Sequence, residues 1–310
     1  MLNKKLVAAG LALALASGFA QARDLKSIGI TVGSLGNPFF VTIAKGAEAK
    51  AKALNPDVKV LAVSADYDLN KQFTQIDNFI ASGVDMILLN AADARAIEPA
   101  VKKAQKAGIV VVGVDVAAAG ADAVVQTDNV QAGEIACQYI VDRLGGKGNV
   151  IIQNGPQVSA VIDRVNGCKA KLAAAPDIKV LSDDQDGKGS REGGLNVMLG
   201  HLTRFQKVDA VFTINDPQAI GSDLAARQLK RSGIVIASVD GAPDIEDAIR
   251  NKTLVEASAS QDPWLMAQRA VEIGHGIMNG KKPDNPMALI PSELITRDNV
   301  AGYKGWSAPR

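Results

Sequence analysis

The sequence is poor in the groups that most enzymes use. Aromatic residues make up 4% of 310 positions, and there are 2 histidines and 2 cysteines. His201 and His275 stand far in sequence from Cys137 and Cys168, so no metal-ligand spacing is recognisable. Nor does one sign of charge dominate: Lys+Arg total 34 and Asp+Glu 33, which points neither to nucleic acid nor to an anionic membrane. No G-x-S-x-G elbow, H-E-x-x-H pair or G-x-x-x-x-G-K-[ST] loop occurs. "GGKGN" at 145–149 reads as a helix-to-strand turn. "GKGSREGG" at 187–194 lacks the strand that must immediately precede a dinucleotide fingerprint. Nothing here supports an enzyme, and no cofactor is expected.

Long apolar runs are also missing, apart from the N-terminus. Lys4 and Lys5 precede "LVAAGLALALA", and the small-residue end Ala20-Gln21-Ala22 follows. A charged start, an apolar middle too short to span a bilayer and an A-x-A site define a secretory signal peptide, expected at 1–22. The mature chain is then expected to begin near Arg23 and to be exported to an oxidising compartment. That compartment permits a disulfide between Cys137 and Cys168, both in expected helices. Because sequence does not say whether those helices are neighbours, a bridge and two inert buried thiols both stay open.

What is abundant is alternation. Short β-branched runs, "SIGITV", "VKVLAV", "DMILLN" and "IVVVGVD", are separated by helical patterns over 38–54, 69–81 and about 95–106. After the loop "VAAAGADA" and a strand "VVQTDN", the rhythm resumes with helices over 130–144, 160–174, 192–203 and 218–231, between the strands "NVIIQN", "IKVLSD", "DAVFTIND" and "IVIASVD". Strands alternating with helices of ten or more residues predict βαβ units and parallel sheets. The repetition predicts two α/β lobes, and length alone favours two domains. "TLVEASAS", a helix over 263–278 and the Pro-rich "KKPDNPMALIPSELIT" close the chain. Crossings near Gln126, Ser260 and Pro291 would divide it into a first lobe of 23–126 plus 261–290 and a second of 127–260 plus 291–310.

Ligands of open parallel sheets gather at the carboxyl ends of strands. Those ends carry Asn37, Phe39, Phe40, Asn90, Asp115, Asn215, Asp216 and Asp240. Amides and carboxylates exchange hydrogen bonds with hydroxyl groups, and aromatic faces cover C–H patches, so the set suits a polyhydroxylated ligand. For any single position a helix cap or turn is an equal reading: Asn37 followed by Pro38 is also an ordinary helix start.

The segments "NPFF", "VDMILLN", "TDNVQAG", "GLNVM", "VDAVFTINDPQAIG", "SVDGAPD" and "ASASQDP", in this order, resemble the periplasmic sugar-binding proteins of ABC importers, in the group that contains the ribose-binding protein. The resemblance covers essentially the whole mature chain. It implies the type I periplasmic-binding-protein fold: two lobes, each a parallel sheet flanked by helices, joined by three crossover hinge strands and closing on one monosaccharide. By position it implies ligand contacts from Asn37, Phe39, Phe40, Asp115, Arg164, Asn215, Asp240 and Gln261, with Asn90 added from glucose- and galactose-type members. It also implies a monomer that delivers a pentose or hexose to an inner-membrane permease; the alternatives are a sensory receptor that engages a chemoreceptor, or an exported carbohydrate enzyme. Two departures stand out. Ribose-type members have arginine where Val116 follows Asp115, and an aromatic near where Gly189 stands, so a different pentose, hexose or polyol is expected. Arg191 would compensate if its loop turns inward.

Overall fold

The computed structural model describes residues 23–306; the expected signal peptide lies outside the described residues. From the N-terminus the elements run β1 (Ser27–Val32), α1 (Pro38–Leu54), β2 (Lys59–Ser64), α2 (Leu69–Ala81), β3 (Met86–Leu89), α3 (Glu98–Lys106), β4 (Val110–Val114) and β5 (Ala123–Thr127). The second series is α4 (Asn129–Leu144), β6 (Lys147–Gln153), α5 (Ser159–Ala173), β7 (Asp177–Ser182), α6 (Arg191–Arg204), β8 (Ala210–Thr213), α7 (Asp216–Gln228), β9 (Val235–Asp240), α8 (Pro243–Arg250) and β10 (Val255–Ser260). The chain ends with α9 (Pro263–Met278), β11 (Met287–Ile290) and β12 (Leu294–Thr296).

Two six-stranded sheets result, ordered β11-β5-β4-β3-β1-β2 and β12-β10-β9-β8-β6-β7. All pairings are parallel except β10 with β12, which is antiparallel. The central strands β3, β4, β8 and β9 are buried along their whole length, as parallel strands covered on both faces must be, and this is why β3 and β4 read as near-continuous Val, Ile and Leu. The chain passes between sheets three times: after β5, after β10 and between β11 and β12.

Helix starts are chemically marked. Side chains of Asn37, Asp68, Asp128, Ser190, Asn215 and Asp262 accept hydrogen bonds from the first turns of α1, α2, α4, α6, α7 and α9. Several boundaries differ from the sequence reading. The third helix begins at Glu98, because Asp93 Oδ1 accepts from Arg95 N and Ala96 N and holds 93–97 as a turn. The helix expected to reach 231 ends at Gln228, and Lys230 turns left-handed at φ 53°. The short α8 carries its apolar residues on one buried face. The Pro-rich tail supplies a strand to each sheet.

Cys137 of α4 and Cys168 of α5 form a disulfide, with Cα atoms 5.0 Å apart. Glycines bring these helices together. A Cβ at Gly133 would lie 2.0 Å from Arg164 O, and one at Gly167 2.2 Å from Val130 O. Of the two readings that the sequence left open, the bridge is the one the fold makes.

Candidate functional site

The carboxyl ends of β1, β3 and β4 face those of β8 and β9 across the cleft between the sheets. The cleft encloses a narrow cavity of about 40 Å³. Asn37, Phe39, Phe40, Asn90, Asp115, Arg164, Asn215, Asp240 and Gln261 all line it. So do several residues that the sequence reading missed: Tyr67 from the loop after β2, and Pro156, Val158, Ala160, Val161 and Ile214 opposite.

The aromatic floor comes from the start of α1. Phe39 and Phe40 are 3% and 4% exposed, and their rings meet edge to face at 5.3 Å and 87°. Trp306, from the C-terminal tail, packs against Phe39 at 5.7 Å and donates Nε1 to Gln261 O. Asn37 serves as a helix cap while lining the cavity: its Oδ1 accepts from Phe39 N at 3.0 Å. Asn215 mirrors it across the cleft, with Oδ1 capping Gln218 N at 3.1 Å and Nδ2 donating to Gly189 O at 2.9 Å.

The charges sit deeper. Asp115 follows β4 with φ 71°, and Asp240 ends β9 with φ 138°, both in backbone regions that non-glycine residues adopt at a cost. Asn90 donates Nδ2 to Asp115 Oδ2 at 2.8 Å, while its Oδ1 accepts from Gly33 N at 3.0 Å. Asp115 Oδ1 is buried and has no protein partner. Burial pushes the Asp115 carboxyl up to about 6 against the opposing pull of Arg164 and the Asn90 hydrogen bond.

On the other side Arg164 donates Nε to Asn129 Oδ1 and Nη1 to Ile214 O, each at 2.8 Å, and Nη1 lies 3.5 Å from Asp240 Oδ1. Gln261 donates Nε2 to that same oxygen at 2.7 Å. Burial raises Asp240 well above the usual carboxylate range, although Arg164 and Gln261 favour its ionised form.

Asp216, also at a strand end, does not line the cavity. Its carboxylate accepts from Ser238 Oγ, Ser258 Oγ and Ala242 N inside the second lobe. Arg191 does not turn inward either: it pairs with Asp244 at 2.7 Å on the outer side of the cleft. Val116 is buried in the core at 1% exposure. A signal for Tyr67 was present, since "ADYD" stands at the carboxyl end of β2, by the same rule that picked out the other strands.

Two buried carboxylates and one guanidinium, flanked by amides and bounded by apolar walls, fit a ligand with hydroxyl groups and no net charge. An anion would face both carboxylates, and a cation would face Arg164.

The sequence profile of a family described as a periplasmic binding protein domain matches residues 28–282. The chain is 35% identical over 274 residues to the ribose import binding protein of Bacillus subtilis, covering 87% of each chain. It is 32% identical over 300 residues to the xylitol-binding protein of Mycolicibacterium smegmatis, covering 95% of this chain and 84% of that one. A solute-binding protein of an ABC transporter from Bacillus halodurans, solved with bound myo-inositol, superposes with a TM-score of 0.83 at 25% identity, covering 92% of this chain and 99% of the other.

Proposed function

The chain belongs to the periplasmic binding protein family, in the ribose-binding group of ABC-importer proteins, and we propose that it captures a neutral monosaccharide or polyol between its lobes for delivery to a permease. It is a binding protein and not an enzyme, as its relatives are. The observation that carries the ligand reading is Asp115 Oδ1, a buried acceptor without a partner that faces a cavity whose opposite wall holds Arg164 and Asp240. Leaving such an acceptor unpaired costs about 1–3 kcal/mol, so the site is arranged for a donor that arrives with the ligand. Hydroxyl groups supply one.

In this reading Asn37, Phe39, Phe40 and Asp115 bind from one side and Arg164, Asn215 and Asp240 from the other, so the ligand favours the closed state in which both sets reach it. Asn90 orients Asp115, and Gln261 holds Asp240 from the hinge. The lobes are 23–126 plus 261–290 and 127–260 plus 291–310. The leader of 1–22 directs export, and the mature protein works as a monomer.

A thermal-shift screen of refolded, ligand-stripped protein against pentoses, hexoses and polyols, including D-ribose, xylitol and myo-inositol, tests the proposal. At about a thousand times its dissociation constant the cognate ligand stabilises by roughly 4 kcal/mol. Cooperative unfolding with no shift for any compound would overturn the reading.

A further inference from the structure

Tyr67 sits in the cleft under unusual conditions. It follows Asp66 in a turn where both residues are left-handed, φ 53° and 57°, although neither is glycine. A tyrosine held in that conformation is one whose ring position is over-determined by its surroundings. Gly33 makes room for the ring, and Gly189 of the second lobe lies beside its hydroxyl. A Cβ at Gly33 would lie 2.5 Å from Tyr67 Cε1, so the ring covers the bare backbone at the end of β1. Across the cleft, a Cβ at Gly189 would come within 3.6 Å of the Tyr67 hydroxyl and 3.4 Å of Asn215 Nδ2, and Gly189 itself has φ +60°. The ring edge also meets Phe40 at 6.5 Å and 67°.

The hydroxyl makes no hydrogen bond among the described residues. Burial and the negative charges of Asp115 and Asp240 raise it above the ordinary phenol range, so it stays a neutral donor. Tyr67, Asn37 and Gly189 line two spaces at once: the inner cavity and an outer chamber of about 500 Å³ bounded by Asp66, Arg191 and Asp244.

Resting on the sugar-binding reading above, we propose that Tyr67 is a specificity-determining ligand contact: its hydroxyl hydrogen-bonds the ligand's outward edge, and its ring, seated between Gly33 and Gly189, walls the inner site off from the outer chamber. The chemical class admitted is then an unsubstituted small sugar or polyol. A ligand with a substituent on its outward edge would have to occupy the space the ring fills. Tyr67 places on the first lobe the aromatic that the second lobe lacks at Gly189.

The test is calorimetric titration of ligand-stripped wild type, Tyr67→Phe and Tyr67→Ala. The probes are the tightest binder from a panel of pentoses, hexoses and polyols that includes D-ribose, xylitol and myo-inositol, together with the mono-O-methyl derivatives of that compound. Cooperative thermal unfolding serves as the check on folding. Tyr67→Phe, which removes one oxygen and keeps the ring, is expected to weaken the parent compound about tenfold. Tyr67→Ala is expected to weaken it further and to bind at least one methyl derivative that wild type rejects. Wild-type affinity in Tyr67→Phe would overturn the hydrogen bond, and rejection of every derivative by a folded Tyr67→Ala would overturn the wall. Wild type that binds nothing in the panel would overturn the sugar reading and this inference with it, an outcome distinct from binding that is indifferent to Tyr67.

Discussion

Arg164 and Asp240 face each other at 3.5 Å with side chains 5% and 3% exposed, and both line the cavity. Asp240→Ala would take the acceptor from Gln261 Nε2 and the counter-charge from Arg164, while Arg164 Nη1 keeps its bond to Ile214 O. Sugar affinity is expected to fall by at least a hundredfold, about 3 kcal/mol, with cooperative unfolding retained. Unchanged affinity in a titration would remove Asp240 from the site.

Asp115 should oppose stability and ligand affinity as pH changes. Its carboxyl is raised from 3.8 to about 6 by burial. A raised carboxyl stabilises the fold fully below the unfolded value and ceases to do so as pH climbs through the folded one. The ligand-free protein should therefore lose on the order of 2–3 kcal/mol from this group between pH 4 and pH 7. The difference in unfolding free energy between Asp115→Asn and wild type isolates that contribution, and Asp115→Asn is expected to be the more stable at pH 7. Ligand binding has the opposite slope, because an ionised Oδ1 accepts a hydroxyl more strongly than a protonated carboxyl does. Affinity should drop as pH falls below about 6 in wild type and drop less steeply in Asp115→Asn, where Asp240 alone of the two raised carboxylates still titrates.

Much of this was legible in the chain because strand ends are where both caps and ligands belong. Asn37 was poised between helix cap and ligand contact, and the structure gives it the cap while placing it on the cavity wall. The alternation of β-branched and amphipathic runs carried the fold, and the ordered motifs carried the family. What stayed hidden depends on tertiary neighbours. Trp306 reaches the cleft from a tail with no periodicity. The partners of Cys137 and Arg191 are set by how helices pack, which no local pattern records. Asn90 and Gln261, expected as ligand contacts, each also hold an aspartate that lines the cavity.

The disulfide belongs to the same helix pair as Arg164. Along the α4/α5 contact, Asn129 with Arg164 stands at the cavity end, Gly133 packs under Arg164 O, and Cys137 is bonded to Cys168 one turn beyond. Replacing both cysteines by serine is expected to cost roughly 3 kcal/mol, a drop of about 6–12 °C in Tm for a chain of this size. Gly133→Ala should be worse at the site itself, since its methyl would displace the backbone of Arg164. Calorimetry of the cysteine variant and titration of Gly133→Ala check the two statements separately.

The hinge offers the most direct link between site and movement. Gln261, just past β10, donates to Asp240 in the site, and its Oε1 accepts from Thr127 Oγ1 at 2.7 Å at the end of β5, where the chain first crosses. The third crossing is tied in by Ser292 Oγ donating to Ser260 O and by Ser260 N donating to Glu293 O. One amide thus reads both the hinge and the ligand pocket. Thr127→Val keeps the shape at the end of β5 and leaves Gln261 Oε1 without its donor, at a cost of about 1 kcal/mol to the closed arrangement. If the bond belongs to the closed state, the apparent dissociation constant should rise about fivefold through faster release, and scattering should show a more open ligand-free ensemble. If instead the bond persists in both states, Tm would fall while affinity and release rate stay at wild-type values, and the Thr127–Gln261 pair would hold the fold without biasing its closure.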